Sequence, residues 1–197
     1  INDYTAITLN QSGTINMNGV SDTVGSLASA AIYGAIVAIP GSPTANLVAG
    51  IPLVNGSVNL GTGGATLTIG ANNTSTSFGG VISGTGASNL VKIGIGVQTL
   101  TNASTYTGST TITHGGITLG YNNALPTTTA LTVNSPTALA ATTGGFYLAG
   151  FSQTVASLSG NGTIALGTST GGYLTFGDSN NTSFDGIIGG TLLSTEG

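Results

Sequence analysis

Asp178 and Asp185 are the only two carboxylates that lie close together in this 197-residue chain. A pair of carboxylates is what a β-stranded glycosidase or lyase would need, one to give a proton and one to attack or to activate water. Both sit among turn residues, between Gly177 and Gly186 and around Asn180-Asn181, and the chain has no arginine to stabilise transition-state charge. The internal copy described below carries Ala71 and Gly79 at the matching places, so the fold does not require them, and a solvated corner is expected. His114 stands before Gly115-Gly116 with no second histidine, no cysteine and no nearby acid; a turn residue is expected, not a metal ligand or general base. Lys92, the only basic residue, is expected to be an outward charge on a strand. Thr-x-Thr occurs at Thr66–Thr68, Thr99–Thr101 and Thr111–Thr113. Stacked on one flat face these could order water against ice or another regular solid, but their spacing is irregular, and Thr is simply a good exposed strand former. Asn-x-Ser/Thr, as at Asn73 and Asn161, is expected by chance in so polar a chain, and Asn-Gly at Asn18, Asn55 and Asn161 reads as turns. No residue is assigned a catalytic, cofactor or metal role, and the chain is read as a non-enzyme without a cofactor.

Composition narrows the partners. The acids are Asp3, Asp22, Asp178, Asp185 and Glu196, the net charge is -4, and mean hydropathy is positive. One lysine cannot neutralise a phosphate backbone, which excludes nucleic acid, and an anionic membrane surface is disfavoured for the same reason. Cysteine is absent, so disulfides and thiolate metal sites are excluded. Regularly spaced Val, Ile, Leu and Phe argue against disorder despite 34 glycines.

The elements that would carry these residues are short and stranded. Ile7–Leu9, Ile15–Met17, Thr23–Leu27, Val58–Leu60, Ala65–Gly70, Phe78–Gly84, Ala130–Asn134, Phe146–Leu148, Val155–Leu158, Ile164–Leu166, Tyr173–Phe176 and Phe184–Ile188 alternate apolar and polar residues between Gly- and Asn-bearing corners. The region 29–53 departs from this: it is apolar, carries Pro40, Pro43 and Pro52, and is too short before Pro40 to span a membrane. It is expected to be an insertion packed beside the main body, or a self-association surface. Leu148–Ser159 echoes Met17–Ala28, and Leu174–Phe184 echoes Leu67–Phe78, with 29–53 present only in the first copy. Repeated short strands at this spacing signify a solenoid of roughly 20 residues a coil, about ten coils and a rod some 45–50 Å long.

The clearest coil is Leu90–Gly120. Leu90, Lys92, Gly94, Gly96, Leu100, Thr105–Gly108, Thr110–Ile112, Gly115, Gly116 and Leu119 fill the pattern of the passenger-associated repeat of bacterial autotransporters, which this stretch resembles. The resemblance implies a single all-β domain over 1–197, a right-handed parallel β-helix, from a secreted or outer-membrane-exterior passenger exported through a C-terminal barrel. It implies an extended stalk or fibre that is structural or adhesive toward a cell or other surface, without membrane insertion of this segment. The beginning at Ile1 and the stop within a strand pattern at Leu192–Gly197 are read as a mature or trimmed piece of a longer chain. A different class of reading is a filament subunit that self-associates end to end through unpaired strand edges, or laterally through 29–53. A polysaccharide-processing solenoid using Asp178 and Asp185 is a third.

Overall fold

The computed structural model describes residues 4–10, 13–29, 36–37, 46–47, 56–135, 145–167 and 172–189. Its strands are two to four residues long, from Ala6–Leu9 to Ile187–Gly189. The chain is all-β, a parallel β-solenoid of about six turns, and no helix occurs among the described residues. Strands this brief cannot stand alone, so each draws its backbone partners from the coil before and the coil after. The expectation of about ten coils is corrected to about six, because long connections, above all the one holding 29–53, separate some stacked neighbours. Within that region the described residues are Ile36–Val37 and Asn46–Leu47, an antiparallel pair; how the rest packs lies outside the described residues.

Each coil visits three faces in the same order. The first face stacks Thr14–Asn16, Ser57–Asn59, Ile82–Gly84 and Thr105–Tyr106. The second stacks Asp22–Val24, Thr66–Ile69, Asn89–Lys92, Thr110–Ile112, Ala130–Val133 and Ser157–Gly160, and the third runs from Thr76–Phe78 through Val97–Leu100, Gly116–Leu119, Gly145–Tyr147 and Thr163–Ala165 to Ile187–Gly189. Backbone bonding from Ser104 N to Ala124 O, and from Asn123 N to Ser152 O, carries the first face onward to the Gln153–Val155 and Leu174–Phe176 pair.

Period-two alternation aims one side of every strand at a narrow core. On the second face the inward column reads Val24, Ile69, Lys92, Ile112, Val133, and its neighbour reads Leu67, Leu90, Thr110, Leu131, Leu158. Burial of each aliphatic member stabilises by about 1.5–3 kcal/mol. At the corners, coils approach so closely that a side chain will not fit. A Cβ on Gly80 would lie 1.7 Å from Gly56 O.

The sequence echo is a structural repeat. Val20 N donates to Met17 O as Phe151 N does to Leu148 O, after left-handed residues Asn18 (φ 51) and Ala149 (φ 52). Asp22–Val24 pairs with Leu67–Ile69 in the register that Gln153–Val155 adopts with Leu174–Phe176. The equivalence extends past the echo: Ala6–Leu9 lies on Ser26–Ser29 as Ala130–Val133 lies on Ser157–Gly160. A Cβ on Gly186 would lie 2.0 Å from Gly162 O, as one on Gly80 would crowd Gly56 O. The two copies differ in placement, the second being set back by one face, so that Thr14–Asn16 is on the first face and its counterpart Gly145–Tyr147 on the third.

Candidate functional site

Asp178 and Asp185 occupy the exposed corners that follow Leu174–Phe176. Asp178 accepts hydrogen bonds from Asn180 N at 2.7 Å and Asn180 Nδ2 at 2.9 Å, and Asp185 accepts one from Ser183 Oγ at 3.0 Å. Each carboxylate thus closes its own turn, the role Asx residues commonly take. His114 is exposed at its corner, as expected. Among the described residues no three His, Cys, Asp or Glu come together as a metal site, and no helix is long and apolar enough to cross a membrane.

Lys92 overturns its expectation. It is 1% exposed and points into the core in the column otherwise filled by Ile69, Ile112 and Val133. Strand parity was the signal: Lys92 is two residues from Leu90 and so shares its side. The alkyl stem continues the aliphatic column while the ammonium donates to the carbonyls of Ile93 and Gly94, the latter at 2.9 Å. Gly70, at φ +102, makes room: a Cβ there would come within 2.8 Å of Lys92 Nζ. Burial lowers the Lys92 pKa to about 8. One coil on, Tyr106 OH shares a hydrogen bond with Thr110 Oγ1, which bonds Thr129 Oγ1 at 2.9 Å, and Thr129 Oγ1 donates to Gly108 O at 2.8 Å. Burial holds the Tyr106 phenol well above its ordinary range.

The Thr-x-Thr segments do not form one array. Thr68 and Thr111 share an outward rank on the second face with Thr23, Thr132 and Ser159, but Val91 interrupts it, and Thr99–Thr101 lies on the third face. Asn73, the acceptor residue of one Asn-x-Ser/Thr segment, uses its Oδ1 to receive Ile95 N of the next coil.

Sequence reasoning passed over one edge. Where the second copy enters the first face, Asn122 Oδ1 accepts from Ser152 N at 2.8 Å, and Ser152 Oγ accepts from Tyr173 N at 3.3 Å. These bonds align three successive coils, with Tyr121 level with Phe151 and Tyr173 level with Asn122 and Ser152. Tyr121 is 50% exposed and Tyr173 70%, while Phe151 is half-buried against the core. The signal was available in the sequence echo, because the first copy has Val20 beside Ser21 where the second has Phe151 beside Ser152, and Thr66 where the second has Tyr173. The backbone bond is the same in both, Thr66 N donating to Ser21 Oγ at 2.9 Å.

Comparison with protein-family models, with curated proteins and with solved structures gave no match.

Proposed function

We propose that this chain is a structural, non-catalytic segment of an exported bacterial surface protein of the autotransporter-passenger kind, an extended β-helical stalk that carries or adheres. One observation carries the reading: the repeat-pattern residues of Leu90–Leu119 are taken up in building a coil. Leu90, Lys92, Leu100, Tyr106, Ile112 and Leu119 are all buried. Gly94, Gly96, Gly108 and Gly115 each lie where a Cβ would meet a neighbouring coil. A pattern used up this way is one for stacking coils, leaving outward positions free to vary. The test is localisation: intact cells expressing the native gene should be labelled by antibody to this segment and lose the label to external protease. A signal confined to the cytosolic fraction would contradict the reading.

A further inference from the structure

We propose that the Lys92–Ile93 bond is a concealed cleavage site for a protease of lysine specificity. Cutting there divides the rod between its two copies, and it waits on the opening of the coil that holds Leu90–Lys92. The inference stands apart from the surface-stalk reading. Lys92 is the only lysine in a chain without arginine, so a protease that requires a cationic side chain has one bond to cut in 197 residues. Hydrolysis adds water across that bond, leaving a carboxylate on Lys92 and an amine on Ile93. The products, Ile1–Lys92 and Ile93–Gly197, keep one copy of the repeat each. A protease of broad specificity, as the localisation test requires, is not confined to this bond.

The folded chain withholds every group such an enzyme needs. A protease takes its substrate as an extended strand, with the basic side chain free to enter a pocket. Asn89–Lys92 instead has a strand on each side, Thr66–Ile69 and Thr110–Ile112. The bond itself is tied to both neighbours: Lys92 O accepts from Thr113 N at 2.9 Å, and Ile93 N donates to Ile69 O at 2.9 Å. The Lys92 side chain is buried, its ammonium held by the carbonyls of Ile93 and Gly94. Cleavage therefore requires this coil to part from its neighbours. The stability of a solenoid is close to a sum over adjacent coils, so the least favourable interface opens first. In the column Val24, Ile69, Lys92, Ile112, Val133, the aliphatic members are stabilised by leaving water, whereas Lys92 takes an ammonium out of it against two carbonyl bonds. The weakest interior interface of the stack thus lies at the one residue a lysine-specific protease can use.

The full chain should be exposed to trypsin across a urea series, with global unfolding followed by circular dichroism and trypsin activity calibrated at each step on a short lysine peptide. In buffer, cleavage is expected at least about a thousandfold more slowly than in unfolding urea. As urea rises, cleavage should begin below the global transition and depend on urea less steeply, because only the central coil exposes its surface. The products should have the masses of Ile1–Lys92 and Ile93–Gly197, and Lys92→Met should abolish them at every urea concentration. Gly70→Ala places a Cβ 2.2 Å from Ile93 O and 2.8 Å from Lys92 Nζ. It should bring cleavage to lower urea by more than it lowers the global midpoint. Cleavage in buffer at the rate of the unfolded chain would overturn the proposal. So would cleavage that follows the global transition with the same midpoint and slope, in the parent and in Gly70→Ala alike.

Discussion

The first and second copies of the repeat fold alike and are surfaced differently. Strand registers, the left-handed corners at Asn18 and Ala149, and glycines such as Gly19 and Gly150 coincide, from Ala6–Leu9 on Ser26–Ser29 and Ala130–Val133 on Ser157–Gly160 to the matched approaches of Gly80 and Gly186. What differs is what each position touches. Gln153 is fully buried and clamps the strandless stretch beside it: its Nε2 donates to Leu125 O at 2.9 Å, and its Oε1 accepts from Leu125 N at 3.1 Å. Asp22, its counterpart, borders an apolar cavity lined by Ile7, Ile15, Met17 and Leu27 near the first described coils. A solenoid needs only stackable corners and inward aliphatics. Every other position is free to specialise, and the two copies have specialised apart.

The sharpest break in that comparison is at its core. Phe146 is completely buried, whereas its counterpart Ile15 is only partly buried against the core in the opening coils. Phe146→Ala should destabilise by about 3–5 kcal/mol, and Ile15→Ala by markedly less, in urea unfolding. Equal losses would mean that the two copies are equally packed. Next in size, Gln153→Ala leaves both polar groups of Leu125 without their partner and should cost about 2–3 kcal/mol, more than Asp22→Ala.

Lys92, between the copies, gives a pH signature. Its folded pKa of about 8 lies below the unfolded 10.5, so between these values the unfolded chain binds more protons and stability rises with pH. The cost of burying the ammonium, up to about 3 kcal/mol, is felt in full below pH 8. Tyr106 acts in the opposite sense: its raised pKa keeps it neutral when folded, so stability falls once the unfolded phenol ionises above pH 10. Urea midpoints should therefore climb from pH 8 and turn down above 10. Lys92→Met should remove the climb and Tyr106→Phe the downturn. The smallest effect is expected at Asp178→Asn and Asp185→Asn, each within about 0.5 kcal/mol, since each carboxylate serves only an exposed turn.

Much of the fold was legible because a solenoid writes its architecture locally. Alternation marked strands such as Thr66–Ile69 and Ala130–Val133, and Asn18-Gly19 marked a left-handed corner. What escaped was decided between coils. Thr23–Leu27 and Val155–Leu158 read as continuous strands but bend at Gly25 and Ala156 onto separate faces, a bend set by bonds to Thr5 O and Thr129 O far away in sequence. Lysine's usual preference for water hid the parity that places Lys92 inside. The level of Tyr121 with Phe151, and of Tyr173 with Ser152, was invisible in any one stretch, because only the stacking sets it.

That axial stacking is the central claim, and a chain without cysteine allows it to be measured directly. Spin labels at cysteines introduced for Thr68 and Ser159 are four strands apart on the second face, and those for Thr23 and Ser159 five. Pulsed dipolar distances should centre near 19 Å and 24 Å, about 4.8 Å per strand, with a spread set by the label tethers. Distances that do not grow with strand count, as in a hairpin sandwich, would contradict the solenoid and every assignment built on it.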